Sequence, residues 1–87
     1  MRLDKYLKTA RIIKRRSMGN ALAKADLITV NKKIAKASLQ LKPEDIISVR
    51  FGHRLLTIKV LSTQAPKSKS DELMYEIIES VILEDEN

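Results

Sequence analysis

At 87 residues the chain has the length for one small core and no room for a second. It contains no Cys, which excludes a disulfide scaffold and a thiolate metal site, and with no Trp, one Phe and two Tyr its core must be aliphatic. The net charge of +6 is unevenly spread: residues 1–65 hold fifteen of the seventeen Lys and Arg against four acids, a net of +11, and residues 66–87 carry −5.

A body this basic attracts polyanions, and nucleic acid is the commonest one inside a cell. Charge begins at Arg2, and no apolar run approaches the roughly 20 residues of a membrane span. Neither a signal peptide nor a membrane partner is expected, and the chain reads as cytoplasmic.

Residues 2–10 are predicted helical, because Leu3, Tyr6, Leu7 and Ala10 form one apolar stripe at i, i+3, i+4, i+7. Arg2, Lys5 and Lys8 lie away from that stripe. Cations at a helix N-terminus oppose the macrodipole, and Asp4 offsets only part of this, so an anionic partner accounts for them better than stability does. Arg11 and the run Lys14-Arg15-Arg16 follow, and Met18, Leu22 and Ala25 keep helical spacing through a second helix of residues 16–25. Three cations then crowd the positive end of that helix, where a docked phosphate would relieve the repulsion. Gly19 and Asn20 are poor helix formers inside it. Gly19 admits two readings, a close approach of RNA backbone or tight packing against the first helix.

Leu27 to Val30 alternates as a strand, Asn31-Lys32 supplies a turn, and residues 33–37 return as a hairpin arm. Lys42-Pro43-Glu44-Asp45 is a second turn. Ile47, Val49 and Phe51 line one face of a strand, Gly52-His53 reverses the chain, and Leu56, Ile58 and Val60 continue the alternation. Pro66 to Ser70 is a polar breaker that divides the chain into a body, residues 1–65, and a linker with a C-terminal segment, residues 66–87. In that segment Leu73, Tyr75, Ile77, Ile78, Val81 and Ile82 read as an amphipathic, acidic C-terminal helix with Ser70 as N-cap. The fold class is α+β: two N-terminal helices packed on a small antiparallel sheet, plus that helix.

No catalytic constellation is visible. Outside the tail the chain offers His53 and four scattered acids, and its two glycines, Gly19 and Gly52, make no phosphate loop. No enzyme activity, metal or cofactor is expected.

The opening Met1-Arg2-Leu3-Asp4-Lys5-Tyr6-Leu7, the cluster Lys14-Arg15-Arg16-Ser17, and Ile28-Thr29-Val30-Asn31 followed by Ala35-Lys36-Ala37-Ser38 resemble the alpha-L RNA-binding domain named after ribosomal protein S-four. In length and wording the chain is most similar to the RqcP family, stand-alone bacterial relatives of the small ribosome-associated heat-shock protein. The resemblance covers roughly residues 1–60. It implies two helices on a small, highly bent sheet, and docking on large-subunit rRNA and a stranded peptidyl-tRNA in ribosome quality control. It also implies support of the factor that adds C-terminal alanine tails to stalled chains. The RNA-facing residues it implies are Arg2, Lys5, Arg11, Arg15, Arg16 and Lys36; the charge argument adds Lys14. Two positions depart from the family, which usually has glycine in place of Asp26 and Lys32.

Two other classes stay open. One is the RNA-binding module of an rRNA-modifying or ribosome-assembly system, such as the pseudouridine synthases that carry a similar domain; the other is a DNA-binding helix-turn-helix. Arg16 has no expected core contact, so Arg16→Ala is expected to change stability by less than about 0.5 kcal/mol.

Overall fold

Leu3, Tyr6 and Leu7 are all fully buried, and that stripe defines α1 (Leu3–Thr9) in the computed structural model, which describes residues 1–63 and 74–82. No side chain caps its N-terminus. The Leu3 and Asp4 amides donate instead to the carbonyls of Leu39 and Ala37, at 2.8 and 3.1 Å, so the 37–39 loop is pinned against the start of the helix. The second helix, α2 (Arg16–Lys24), turns Gly19 and Ala23 inward.

Both helices end in the same way. Arg11 N–H donates to the Lys8 carbonyl and Ile12 N–H to that of Leu7, each at 2.9 Å; after α2, Asp26 pairs with Ala23 at 3.1 Å and Leu27 with Leu22 at 3.0 Å. This is a Schellman closure, whose residue after the cap must be left-handed and is usually glycine. Here the position is held by Arg11 (φ 62°) and Asp26 (φ 59°). The departure from glycine at Asp26 therefore leaves the turn's shape intact at the expense of local strain.

The five strands form one antiparallel sheet: β1 (Ile28–Val30), β2 (Lys33–Ile34), β3 (Ile46–Phe51), β4 (Arg54–Val60) and β5 (Tyr75–Ile82), in the order β2-β1-β3-β4-β5. Asn31 and Lys32 join β1 to β2 with φ of 52° and 72°, the left-handed pair of a type I′ turn. The Asn31 side chain ties that turn to the start of β3, accepting from the Ile46 amide at 3.0 Å and donating to Asp45 at 3.1 Å. One face of the sheet carries Ile28, Ile47, Val49, Ile58 and Val60, all essentially without exposure, against Leu3, Tyr6 and Leu7 of α1. No helix among the described residues is long and apolar enough to cross a membrane.

The C-terminal segment departs from expectation. Residues 75–82 are strand β5, not an amphipathic helix, paired with β4 from Arg54↔Ile82 to Val60↔Tyr75. Ser70, Asp71, Glu72 and Leu73, the cap and first turn of the expected helix, and the 66–70 linker lie outside the described residues. The cause is a register shift opposite Thr57 and Ile58, which leaves Ile78 as an extra residue. Tyr75 and Ile77 share one face before it and Ser80 and Ile82 share that face after it, so a two-residue period with one insertion imitates helical spacing. β-branched Ile77, Ile78, Val81 and Ile82 favour a strand, and the open edge of β4 supplies its hydrogen bonds. The buried Tyr6 hydroxyl donates to the Met74 carbonyl and fastens the start of β5 to α1. Burial, with the nearby Tyr75, pushes the Tyr6 pKa well above the ordinary tyrosine range.

Lys32→Gly removes left-handed strain of about 1–2 kcal/mol and adds a smaller unfolded-state entropy, so it is expected to stabilise the fold by about 1 kcal/mol. Asp26→Gly should gain less, since Asp tolerates this region better. Urea unfolding checks both; unchanged or lower stability in Lys32→Gly would contradict the strain argument.

Candidate nucleic-acid interface

Asp4 lies in the first turn of α1, and its side chain is 1% exposed. One oxygen, Oδ1, accepts from the Lys5 amide at 2.8 Å. The other receives three side chains: Arg16 Nε at 3.1 Å, Asn20 Nδ2 at 3.0 Å and an Arg2 guanidinium nitrogen at 3.3 Å. Arg2 and Arg16 remain 42% and 44% exposed, so one buried carboxylate holds the inner edges of two guanidinium groups whose other faces meet solvent.

The approach of α2 makes this possible. A Cβ on Gly19 would sit 3.3 Å from both Asp4 Cα and Cβ, and 3.0 Å from Ile13 Cδ1. Of the two readings of Gly19, packing against the first helix is the one the structure adopts. Arg16 and Asn20, four residues apart, share a face of α2, and Asn20 also donates to the Arg16 carbonyl at 3.2 Å. Arg15 and Arg16 begin a helix with no side-chain cap and no acid in its first turn.

Arg2, Asn20, Ala23, Lys24, Lys36, Ala37 and Ser38 line a cleft of about 260 Å³ between α2 and the loop after β2. Arg2 Nε is buried there without a hydrogen-bond partner. Every charged side chain in this lining is a cation, so the cleft suits an anion or a ligand rich in acceptors. Of the expected residues the structure thus brings Arg2 and Arg16 together on Asp4, and Arg2 and Lys36 together in the cleft. Lys5, Arg11, Lys14 and Arg15 are exposed on α1, the 10–15 connector and the start of α2, with no ion pair among the described residues. Sequence reasoning missed Asn20, Lys24 and Ser38. Arg16, Asn20 and Lys24 recur every four residues, a signal of one helix face that was there to be read.

Burial raises the Asp4 pKa, but the hydrogen bonds from Arg16, the Lys5 amide and Asn20, with the Arg16 charge, outweigh it and hold the carboxyl below its usual range. Arg16 is therefore not free of structural work. Arg16→Ala uncovers a buried charge, and the expected cost rises from under about 0.5 to about 1.5–3 kcal/mol.

Fold and site define a small RNA-binding protein of the S4 class, and the S4 domain family model matches residues 1–47. Over 86 residues the chain is 46% identical to the RQC P-site tRNA stabilizing factor of Streptococcus pneumoniae, covering 98% of each chain. It is 42% identical to the factor of the same name from Bacillus subtilis, covering 90% of this chain and 92% of that one. A trimeric structure of heat shock protein 15 from Vibrio cholerae superposes with a TM-score of 0.77 at 28% identity, over 88% of this chain and 80% of that one. The chain belongs to the family of RQC P-site tRNA stabilizing factors, within the S4 domain class.

A depressed Asp4 pKa contributes stability that is complete above the unfolded value of about 3.9 and is lost as pH falls through the lower folded value. Asp4→Asn is expected to destabilise the protein by about 2–3 kcal/mol at pH 7, and the gap to wild type should narrow on acidification below pH ~4. A gap constant between pH 7 and pH 3 in denaturant unfolding would show that the Asp4 charge contributes nothing.

Proposed function

We propose that this protein is a cytoplasmic docking factor without chemistry of its own. In this reading it lies on large-subunit rRNA and on the P-site peptidyl-tRNA of a stalled ribosome, and thereby supports alanine tailing of the stranded chain. The observation that carries the reading is the pair of half-exposed arginines fixed on buried Asp4, in a chain of net charge +6 whose residues 1–65 alone carry +11. Arg2, Arg16 and Lys36 contact RNA phosphates around the cleft, with Lys24 and Ser38 beside them. Lys5, Arg11, Lys14 and Arg15 extend the basic surface. The names of the relatives support the tRNA partner; rRNA, the large subunit and the alanine-tailing factor come from the resemblance.

The mechanism is electrostatic and geometric. Each neutralised phosphate releases counterions, while planar guanidinium groups held in fixed orientation fork onto phosphate or stack on a base. Gradient sedimentation of a tagged copy tests the assignment: it should co-migrate with free large subunits carrying peptidyl-tRNA at low to moderate salt. Migration only with small subunits, or at the top of the gradient, would contradict it. Among folded variants, Arg16→Ala should weaken RNA binding by about 1.5–3 kcal/mol and lower the salt slope by about one unit or less. Lys59→Ala on β4, whose strand partner is Glu76, is the charge-matched control and should bind nearly as wild type.

A further inference from the structure

The tip of the β3–β4 hairpin is a second basic feature that the cleft does not use. β1 begins opposite Val49, so β3 and β4 run on beyond it, and the buried core ends with Val49 and Leu56. Past that point the chain reads Arg50-Phe51-Gly52-His53-Arg54, with both arginines exposed. Gly52 (φ 53°) is the first residue of the two-residue turn, and nothing lies within 4 Å of where its Cβ would be.

The pairing fixes where the charges point. Arg50 pairs with Leu55 and Phe51 with Arg54, so the two arginines lie on opposite faces of the ribbon. Arg54 Nε and a terminal nitrogen both donate to Ser80 Oγ, at 3.2 and 3.1 Å; Arg50 Nε donates to the Gly52 carbonyl at 3.4 Å. These anchors are neutral. They orient each guanidinium without cancelling its charge, and neither arginine makes an ion pair among the described residues. Phe51, half-buried beside Arg54, adds an aromatic face.

No residue of this tip lines the cleft or bonds to Asp4 among the described residues. α2 starts beside Asp4 and runs toward the tip, where the carbonyl of Leu27, three residues past its end, accepts from the Arg50 amide at 3.0 Å. Arg50 and Arg54 share no partner with Arg2 or Arg16 among the described residues, so the two pairs are free to engage different phosphates.

We propose that the β3–β4 tip is a second RNA-binding site, a prong whose Arg50 and Arg54 engage backbone phosphates on its two sides. It rests on the RNA-binding reading above and adds a separate contact to it. An RNA long enough to reach both sites is then held at two points, which fixes its direction on the protein as well as its affinity.

The test uses the full chain, deproteinised large-subunit rRNA as the probe, and filter binding over a series of salt concentrations. Arg50→Gln and Arg54→Gln should each weaken binding about 10-fold and the double variant about 100-fold, with the salt slope reduced by about 0.7–0.9 per arginine. Lys59→Gln removes one charge away from the tip and should change affinity less than threefold. Ser80→Ala leaves the charge untouched and releases Arg54; it should weaken binding several-fold, and it decides the matter for Arg54 if the double variant melts below the assay temperature. A folded double variant within threefold of wild type, while Arg16→Ala still loses affinity, would overturn the tip and leave the first site standing. Absence of rRNA binding by the wild-type chain at any salt would overturn both.

Discussion

A carboxylate with 1% exposure, inserted between two helices and surrounded by three side-chain donors, determines where the charge of this protein can go. Without Asp4, Arg2 and Arg16 are two flexible surface cations, each able to sample many orientations. With it, each guanidinium has one edge committed and one edge presented. The arrangement depends on Gly19, because a side chain there would push α2 away from the Asp4 backbone. It depends also on the 37–39 loop, whose carbonyls take the first amides of α1 and so bring Lys36 and Ser38 to the same cleft. The contacts that hold the two helices together and those that orient the two arginines meet at one residue.

Firmly placed neighbours also let so small a domain hold strained backbone. Arg11, Asp26 and Lys32 all adopt left-handed backbone where glycine fits without penalty. Each closes a helix or a hairpin whose neighbours are firmly placed: Ile13 and Ile28 are buried beside the two Schellman closures, and Asn31 is bonded to Asp45 and Ile46. The surrounding hydrogen bonds over-determine the conformation, so the side chain at the strained position is free to vary. At Arg11 that freedom places an exposed cation at the corner between α1 and α2.

Much of the fold was legible because most elements bury one face. The Leu3, Tyr6, Leu7 stripe gave α1, and Ile47, Val49, Ile58 and Val60 gave the central strands by simple alternation. β5 was not legible, since Ile78 interrupts its alternation and the exposed Ile77 and Ile82 carry no burial signal; both are more than half exposed. The basic face was visible as charge; the structure sets Arg2 and Arg16 on Asp4, and Arg2 and Lys36 in one cleft. The role of Asp4 was hidden for a different reason. A lone acid near a helix N-terminus reads as a surface residue answering the dipole, and its burial follows only from the approach of a second helix at Gly19. Residues distant in sequence, Asp4 with Asn20 and Tyr6 with Met74, form the contacts that local pattern cannot supply.

The sharpest test of this account is the RNA affinity of folded Asp4→Asn, measured against wild type with the same large-subunit rRNA at one salt concentration and with folding verified in the same buffer. The substitution removes a negative charge, so attraction by net charge alone would strengthen binding. If Asp4 positions Arg2 and Arg16, binding instead weakens, by about 10-fold for the loss of one well-oriented contact. Affinity equal to or greater than wild type in a folded Asp4→Asn protein would contradict the account, because the arginines would then act as bulk charge and the buried carboxylate would serve the fold alone.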